Sequence, residues 1–223
     1  MHSNIPVVNR LTQYLYIGGV EIASYHPFIL ANKITHIVNC AGDQIKNNYS
    51  LGDVEFLTFF IKENDSSTFF SNGTENMKNL FVFINKAYDT CENTLIHSVH
   101  GTDRSLFVAS VYLMVKFHWK ASDAIEVVSS CRHIRMNPQF EKSLSQFEQY
   151  LPPLILTPDL INEEITLRNT YFNKELRLKV SPQIHSTHQR INISLNGYEI
   201  LNNQQPHSIE LKGKSFNSIL KHP

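Results

Sequence analysis

The sequence predicts an α/β fold in which a central, mostly parallel sheet is flanked by helices, followed by a polar C-terminal extension with short β-strands. The first observation is that short apolar runs alternate with segments of helical spacing between residues 15 and 151, which is typical of strands joined by helices. The second is a change after Pro152 and Pro153, where the chain becomes polar and rich in Asn. We therefore expect a domain over residues 1–152 and an extension over residues 153–223.

The composition limits the classes of partner. Of the 223 residues, 42% are hydrophobic, and 20 basic residues balance 20 acidic ones. Without a net positive charge, nothing favours nucleic acid or an anionic membrane surface. No apolar run approaches the roughly 20 residues that a membrane-spanning helix needs, and the first residues do not form a secretory signal. We expect a globular, cytoplasmic protein.

The first half of the domain is predicted to form three strands and a helix. Residues 15–17 form a short strand that ends in the Gly18–Gly19 turn, and residues 24–32 have helical spacing. Residues 35–40 form the next strand. Residues 54–61 are dense in aromatic and β-branched side chains, which is typical of a buried strand. This last strand leads directly into a polar loop that contains Asp65.

The second half is predicted to be mainly helical. Apolar side chains at residues 77, 80, 81, 84 and 88 form one helical stripe, capped by Asn72 or Thr74. After a strand at residues 94–97, residues 105–117 form a helix that is apolar nearly all round, as expected of a buried helix. Ser122 is expected to cap the next helix, and Asn137 with Pro138 to open the last one.

The extension and the cysteines complete this interpretation. Alternating segments at residues 175–180, 190–195 and 208–212 indicate short strands, too few and too polar to form a core, so we expect them to dock on the domain or on partners. Cys40, Cys91 and Cys131 lie in apolar surroundings and are expected to be reduced core residues. Their spacing suggests no zinc site, and neither a metal nor a cofactor is expected.

One stretch predicts chemistry, namely the loop of residues 97–105 between the strand at 94–97 and the apolar helix. A strand that feeds a tight loop and then a helix brings backbone N–H groups and the positive end of the helix dipole to one point. Gly101 lets the backbone curl close to a ligand. Arg104 supplies a planar fork of donors that suits two oxygens of a phosphate. The loop is therefore a predicted phosphate site.

The loop resembles the H-C-x-x-G-x-x-R-S signature of the dual-specificity branch of the cysteine-dependent protein phosphatases. His97, Gly101, Arg104 and Ser105 match, whereas Ser98 occupies the position of the Cys nucleophile. Further similarity lies in "LYIGG", "ITHIVNCA" and residues 132–140, where Met136 and Gln139 depart from the family pattern. The resemblance covers about residues 10 to 151.

The resemblance implies a role for each residue of the loop and for one residue outside it. His97 would support the loop from behind, Ser105 would assist departure of a thiolate, and Asp65 would be the general acid. The phosphate would be held by six residues, namely Val99, His100, Gly101, Thr102, Asp103 and Arg104. No metal takes part in this chemistry.

Several residues have a second interpretation. Asp65 also fits a solvated turn, with Glu63 a weaker candidate for the acid. Arg104 either binds phosphate or pairs internally with Asp103 or Asp65. Asp103 either repels phosphate, points away or acts as the acid. His100 either donates to phosphate or is merely solvated, and His118 and Trp119 are expected to be surface or packing residues.

Ser98 is consistent with two hypotheses about the function of the protein. A serine hydroxyl is not made nucleophilic by the field that ionises a thiol, so a natural Ser98 predicts a pseudophosphatase that works by binding. It would hold a phosphorylated Ser, Thr or Tyr side chain, or act as a structural subunit of a larger protein assembly, for which a cytoskeletal or ciliary setting would suit. Alternatively, Ser98 is an engineered, substrate-trapping replacement in an active phosphatase. The absence of a tag before Met1 favours the natural reading.

Overall fold

A computed structural model describes residues 7–151 and 157–172, and it contains a five-stranded sheet with helices on both faces. The predicted α/β class is confirmed. The strands are β1 (Val8–Arg10), β2 (Leu15–Gly18), β3 (Ile34–Asn39), β4 (Glu55–Thr58) and β5 (Asn93–His97). The helices are α1 (Val20–Ala23), α2 (His26–Ala31), α3 (Ser67–Phe70), α4 (Glu75–Asp89), α5 (Arg104–Phe117), α6 (Ala121–Arg132), α7 (Pro138–Phe147) and α8 (Pro158–Tyr171).

The sheet has the strand order β1-β2-β5-β3-β4. Strand β1 runs antiparallel to β2, and all the other pairs are parallel, so the prediction of a mostly parallel sheet is confirmed. The carboxyl ends of β2, β5, β3 and β4 consequently lie along one edge of the sheet. Loops that leave this edge meet each other, which is where open parallel sheets bind ligands.

Alternation along the strands divides the core into two layers. Leu15, Ile17 and Ile96 face the larger layer with α4, α5, α6 and α7, whereas Tyr16 and Leu95 face the smaller layer with α1 and α2. Helix α5 lies at the centre of the larger layer, where every residue except Val115 is buried. The all-round apolar pattern therefore predicted its position correctly, and the helix is a rigid base for the loop that precedes it.

Three local predictions were wrong. Strand β4 covers only Glu55–Thr58 and pairs with β3 alone, so it is an edge strand whose residues are exposed or half-buried, and the buried Phe59 and Ile61 lie in the segment beyond it. Cys91 is exposed in a turn with a positive φ of 58°, while Cys40 and Cys131 are buried as expected. Ser122 does not cap α6, since Lys120 occupies the N-cap. Asn137 does cap α7, accepting a hydrogen bond from the Gln139 N–H at 2.8 Å.

The extension was predicted to contain short strands, but its first described part is a helix. Residues 158–171 form helix α8, which packs on α6 and buries Leu167. Trp119, predicted as a surface or packing residue, is buried and donates to Glu164 of α8 at 2.7 Å. The strands predicted within residues 175–212 lie outside the described residues. Among the helices that the structure describes, none is long and apolar enough to cross a membrane.

Candidate functional site

The loop of residues 98–103 lies at the carboxyl edge of the sheet, between the end of β5 at His97 and the start of α5 at Arg104. Gly101 has a φ of +69°, and a Cβ at this position would lie 2.4 Å from the backbone of Gly18. Only glycine fits such a left-handed, crowded position without strain. The loop is therefore held against the turn that follows β2, and its curvature depends on Gly101.

Two further contacts fix the loop backbone. The Val20 N–H donates to the Val99 carbonyl at 3.1 Å, and Arg132 Nε of α6 donates to the Gly101 carbonyl at 3.1 Å. Arg132 is itself buried and donates to Asn9 Oδ1 at 2.6 Å. Because both loop carbonyls are turned towards the body of the protein, the loop N–H groups are left to face the opposite side.

The loop N–H groups form a cluster of donors. The Gly101 N–H donates to Ser98 Oγ at 3.1 Å. The N–H groups of His100, Thr102 and Asp103 have no acceptor among the residues that the structure describes. Unpaired N–H groups at the start of a helix make an anion-binding concavity. The geometry thus agrees with the predicted phosphate cradle.

A cavity of about 220 Å³ opens in front of the loop. The loop contributes four of the residues that line it, one comes from the start of α5, and the others come from the segment after β4 and from α7. The lining residues are Glu63, Asn64, Ser98, His100, Thr102, Asp103, Arg104 and Phe140. A polar cavity of this size at the start of α5 is large enough for a tetrahedral oxyanion.

Ser98 lies at the bottom of the cavity and is 2% exposed. Its hydroxyl donates to Ser105 Oγ at 3.4 Å and accepts from the Gly101 N–H. These are its only hydrogen-bond partners within residues 7–151 and 157–172, and neither of them is a general base. Activation of a serine nucleophile requires an adjacent general base, so the hydroxyl is not activated in this arrangement.

His97 is buried at the end of β5, directly before the loop, and its role as a support for the loop stays a prediction. Burial lowers the pKa of its imidazole to about 4, so the ring is neutral near pH 7. A base with such a low pKa accepts a proton poorly, which makes His97 unsuited to activate Ser98. The carbonyl of His97 accepts from the Cys40 N–H at 2.8 Å and ties β5 to the end of β3.

Arg104 is 6% exposed, and its guanidinium is held from one side. Nη1 donates to Gln44 Oε1 at 2.7 Å and to the Ile61 carbonyl at 3.3 Å. Nη2 lies 3.6 Å from Glu63 Oε1, and Nε has no hydrogen-bond partner in the described part of the chain. The internal partners are therefore Gln44, Ile61 and Glu63, rather than the Asp103 or Asp65 that the sequence suggested.

Asp103 lines the cavity, but its carboxylate is already engaged. Oδ1 accepts from the Asn137 N–H at 2.8 Å, and Oδ2 accepts from Thr102 Oγ1 at 3.1 Å. These bonds fix the carboxylate on the side of α7 and satisfy part of its charge. Asp103 therefore links the loop to the start of α7. His100 is exposed on the rim of the cavity.

Asp65 does not line the cavity. Its Oδ1 accepts from the Ser67 N–H at 2.8 Å, which closes a turn just before α3, whose N-cap is Ser66. Hydrogen bonds from the Ser67 side chain and backbone lower the pKa of this carboxyl. A general acid must be protonated when it acts, so this environment favours a turn-forming role for Asp65. Its catalytic role stays a prediction.

Sequence reasoning missed several residues around the cavity. Gln44 lies in the loop after β3, Asn64 after β4 and Phe140 in α7, and Arg132 braces the loop from α6. Nothing in their local sequence indicates these contacts, because each depends on elements that are distant in the chain. Among the described residues, no three His, Cys, Asp or Glu side chains are grouped as metal ligands would be.

Comparison with known proteins shows the family. The model "Dual specificity phosphatase, catalytic domain" matches residues 15–150, which is more than half of the chain. This chain therefore belongs to the dual specificity phosphatase family. The match covers β2 to β5, the loop and α1 to α7. Strand β1 and helix α8 lie outside it.

Two relatives and one solved structure illustrate the similarity. The chain is 32% identical over 143 residues to the Dictyostelium discoideum protein named "Probable rhodanese domain-containing dual specificity protein phosphatase", covering 63% of this chain and 29% of that protein. It is 28% identical to "Dual specificity protein phosphatase 1B" of Arabidopsis thaliana, covering 64% of this chain and 82% of that protein. A leucine rich repeat and phosphatase domain containing protein from Entamoeba histolytica has the same fold, with a TM-score of 0.53, 20% identity and coverage of 64% and 90%.

Proposed function

We propose that this chain is a pseudophosphatase, a member of the dual specificity phosphatase family that binds phosphate groups and does not hydrolyse them. The observation that supports this most is Ser98. Its buried hydroxyl lies at the bottom of the cavity, where the family signature has the attacking Cys, and it bonds only Ser105 and the Gly101 N–H among the described residues. The cradle is present, whereas the reactive thiolate is replaced by an unactivated alcohol.

The electrostatics of the loop support the proposed loss of activity. A helix start and a nearby guanidinium lower the pKa of a thiol enough to ionise it near neutral pH, but the hydroxyl of serine is far too weak an acid to respond in the same way. In subtilisin, loss of the nucleophile costs roughly a millionfold in turnover. We expect a loss on that scale relative to a variant with a thiol at residue 98.

The predicted partner is a protein that presents a phosphorylated Ser, Thr or Tyr side chain. The free N–H groups of the loop and the Nε of Arg104 support binding of a tetrahedral anion, since both face or adjoin the cavity. The alternative role for an inactive protein of this family is that of a structural subunit in a larger assembly, without phosphate binding. A cytoplasmic location, and a cytoskeletal or ciliary assembly, stay predictions.

Thermal unfolding with tungstate, a tetrahedral oxyanion, separates these two roles. A ligand at a hundred times its dissociation constant adds about 2.7 kcal/mol of stability, which raises the Tm by several degrees. Arg104→Lys keeps the charge but removes the planar fork, and it should lose most of this shift. If saturating tungstate leaves the Tm of the parent chain unchanged, only the structural role remains.

The second candidate is an active phosphatase in which the natural residue 98 is Cys. Its specific support is that Ser105 Oγ and the Gly101 N–H already surround the position of a thiolate, at 3.4 and 3.1 Å from Ser98 Oγ. We expect Ser98→Cys to hydrolyse an aryl phosphate measurably if the rest of the loop is competent. Turnover of an aryl phosphate by the parent chain, with Ser98 in place, would contradict the pseudophosphatase proposal directly.

A further inference from the structure

Arg104, Gln44 and Glu63 form a closed ring of contacts at the mouth of the cavity. Arg104 Nη1 donates to Gln44 Oε1 at 2.7 Å, Gln44 Nε2 donates to Glu63 Oε1 at 3.3 Å, and the same Glu63 oxygen lies 3.6 Å from Arg104 Nη2. The three residues come from three separate segments, namely the loop after β3, the loop after β4 and the start of α5. Nothing in the resemblance to the family assigned a role to Gln44.

The donors of Arg104 divide between the protein and the cavity. A guanidinium has five N–H groups, and two oxygens of a phosphate are best bound by two parallel N–H groups on one edge. Gln44 Oε1 and the Ile61 carbonyl both accept from Nη1, which fixes the plane of the group. The edge formed by Nε and Nη2 is the one that remains available for an anion.

Glu63 is the only carboxylate among the described residues within 4 Å of Arg104, and it lies next to Nη2. Its side chain is 63% exposed, so it can swing into solvent without loss of buried packing. At 3.6 Å its contact is too long for a strong hydrogen bond. An anion that binds the Nε and Nη2 edge would therefore displace Glu63 and break its bond with Gln44 Nε2, but the bond from Nη1 to Gln44 Oε1 would stay in place.

We propose that Gln44 and Glu63 set the anion affinity of Arg104 in opposite directions. Gln44 is a positioning residue that orients the guanidinium edge towards the cavity, and Glu63 is an internal competitor that an incoming phosphate must displace. This inference rests on the proposed phosphate-binding function and deepens it. It also gives Glu63 a role other than the general acid considered from the sequence.

The test measures the dissociation constant of tungstate by titration calorimetry for three variants of the full chain. Glu63→Gln removes the charge and should tighten binding about three- to fivefold, the range set by a partly exposed ion pair. Gln44→Met keeps the volume but removes the nearer of the two acceptors of Nη1, and it should weaken binding roughly fivefold or more. Asp53→Asn removes a charge from the exposed bend that precedes β4, at the amino end of that strand and away from the loop, and should leave the constant unchanged.

A double-variant cycle shows whether Glu63 acts through Arg104. In an Arg104→Lys background the gain from Glu63→Gln should shrink towards onefold, because the competed edge no longer exists. A full gain in that background would show general charge repulsion and would overturn the proposal. The gain in the parent chain should also fall as salt is raised.

The outcomes also separate this inference from the proposed function. Tungstate binding by the parent chain with no opposite response of the Gln44 and Glu63 variants would refute the positioning and competing roles alone. Absence of binding in the parent and in every variant would refute the phosphate-binding function together with them. Binding by Glu63→Gln but not by the parent would refute the phosphate-binding function of the parent chain, even though it would show that Glu63 competes for Arg104.

Discussion

The two ends of helix α5 each hold a buried cation, and the two cations are satisfied in opposite ways. At the N-terminal end, Arg104 uses one nitrogen for the protein and leaves an edge of its guanidinium next to an open cavity. At the C-terminal end, Lys116 donates to Tyr14 at 2.5 Å and lies 2.8 Å from Glu163. One cation has donors left over, whereas the other is enclosed.

The enclosure of Lys116 is both ionic and aromatic. Its ammonium lies 4.7 Å from the ring centre of Tyr14 and 4.6 Å from that of Tyr88. Burial lowers the pKa of Lys116, and the nearby carboxylate of Glu163 opposes this change. The Tyr14 hydroxyl also donates to Glu163 at 2.6 Å. This cluster attaches α8 to the domain.

The difference shows how a structural charge can be told from a functional one. A buried cation that meets its own carboxylate is neutralised by the fold, and removing either partner is costly. A buried cation beside a cavity, with only a weak carboxylate contact, retains attraction for an anion. By this criterion Arg104 is the proposed anion-binding residue, whereas Lys116 stabilises the fold.

The largest expected effect lies at the enclosed end. Glu163→Ala should lower the free energy of unfolding by about 3–5 kcal/mol, because it leaves Lys116 buried without a charge partner. Urea unfolding measures this change. The control is Glu141→Ala, whose 3.8 Å contact with the exposed Arg135 should contribute less than about 1 kcal/mol. Equal losses in the two variants would contradict the contrast between the ends of α5.

Acidification should lower the free energy of unfolding, because the buried His97 at the end of β5 resists protonation in the folded protein. The pKa of His97 is about 4 in the folded protein against about 6.5 when unfolded, so the unfolded chain takes up the proton first as pH falls. Stability is fully present above pH 6.5 and is lost towards pH 4, by roughly 3 kcal/mol in total. Urea unfolding between pH 7 and 4.5 measures this slope, and His97→Asn should flatten it. An unchanged slope in that variant would place the effect elsewhere.

Gly101→Ala should cost about 2 kcal/mol or more, since it forces a side chain into a left-handed backbone position and against Gly18. Tungstate binding should be lost with it, because the curvature of the cradle changes. Gly73→Ala is a matched control, with a φ of +66° but open space around it. A similar loss of stability in both would mean that backbone conformation alone, and not the contact with Gly18, is responsible.

The smallest expected effect concerns Asp65. Asp65→Asn removes the charge that strengthens the turn bond to the Ser67 N–H and should cost about 1 kcal/mol or less, as measured by thermal unfolding. Its effect on tungstate affinity should stay within about twofold, since the carboxylate does not line the cavity. A large change in affinity would instead move Asp65 into the site and restore its candidacy as the general acid.

Much of the fold and part of the site could be predicted from the sequence. The strand at residues 94–97, the loop and the buried helix that follows lie within one continuous stretch, where periodicity and Gly101 act locally. The edge position of β4 could not be predicted, because burial of a strand depends on which neighbours it acquires. Helix α8 was missed for a related reason, since its polar sequence has only weak periodicity and gains stability by packing on the domain.

The sequence by itself determined the cradle: a strand, a tight turn at Gly101, an arginine at the start of a helix, and a hydroxyl where the family signature has a thiol. Only the tertiary structure decided what surrounds it, with Gln44 and Glu63 on Arg104, Arg132 behind Gly101, and Glu163 on Lys116. The physical reason is range. Backbone preferences act over a few neighbouring residues, whereas the partners of a buried charge are chosen by distance in space, between segments that are far apart in the chain.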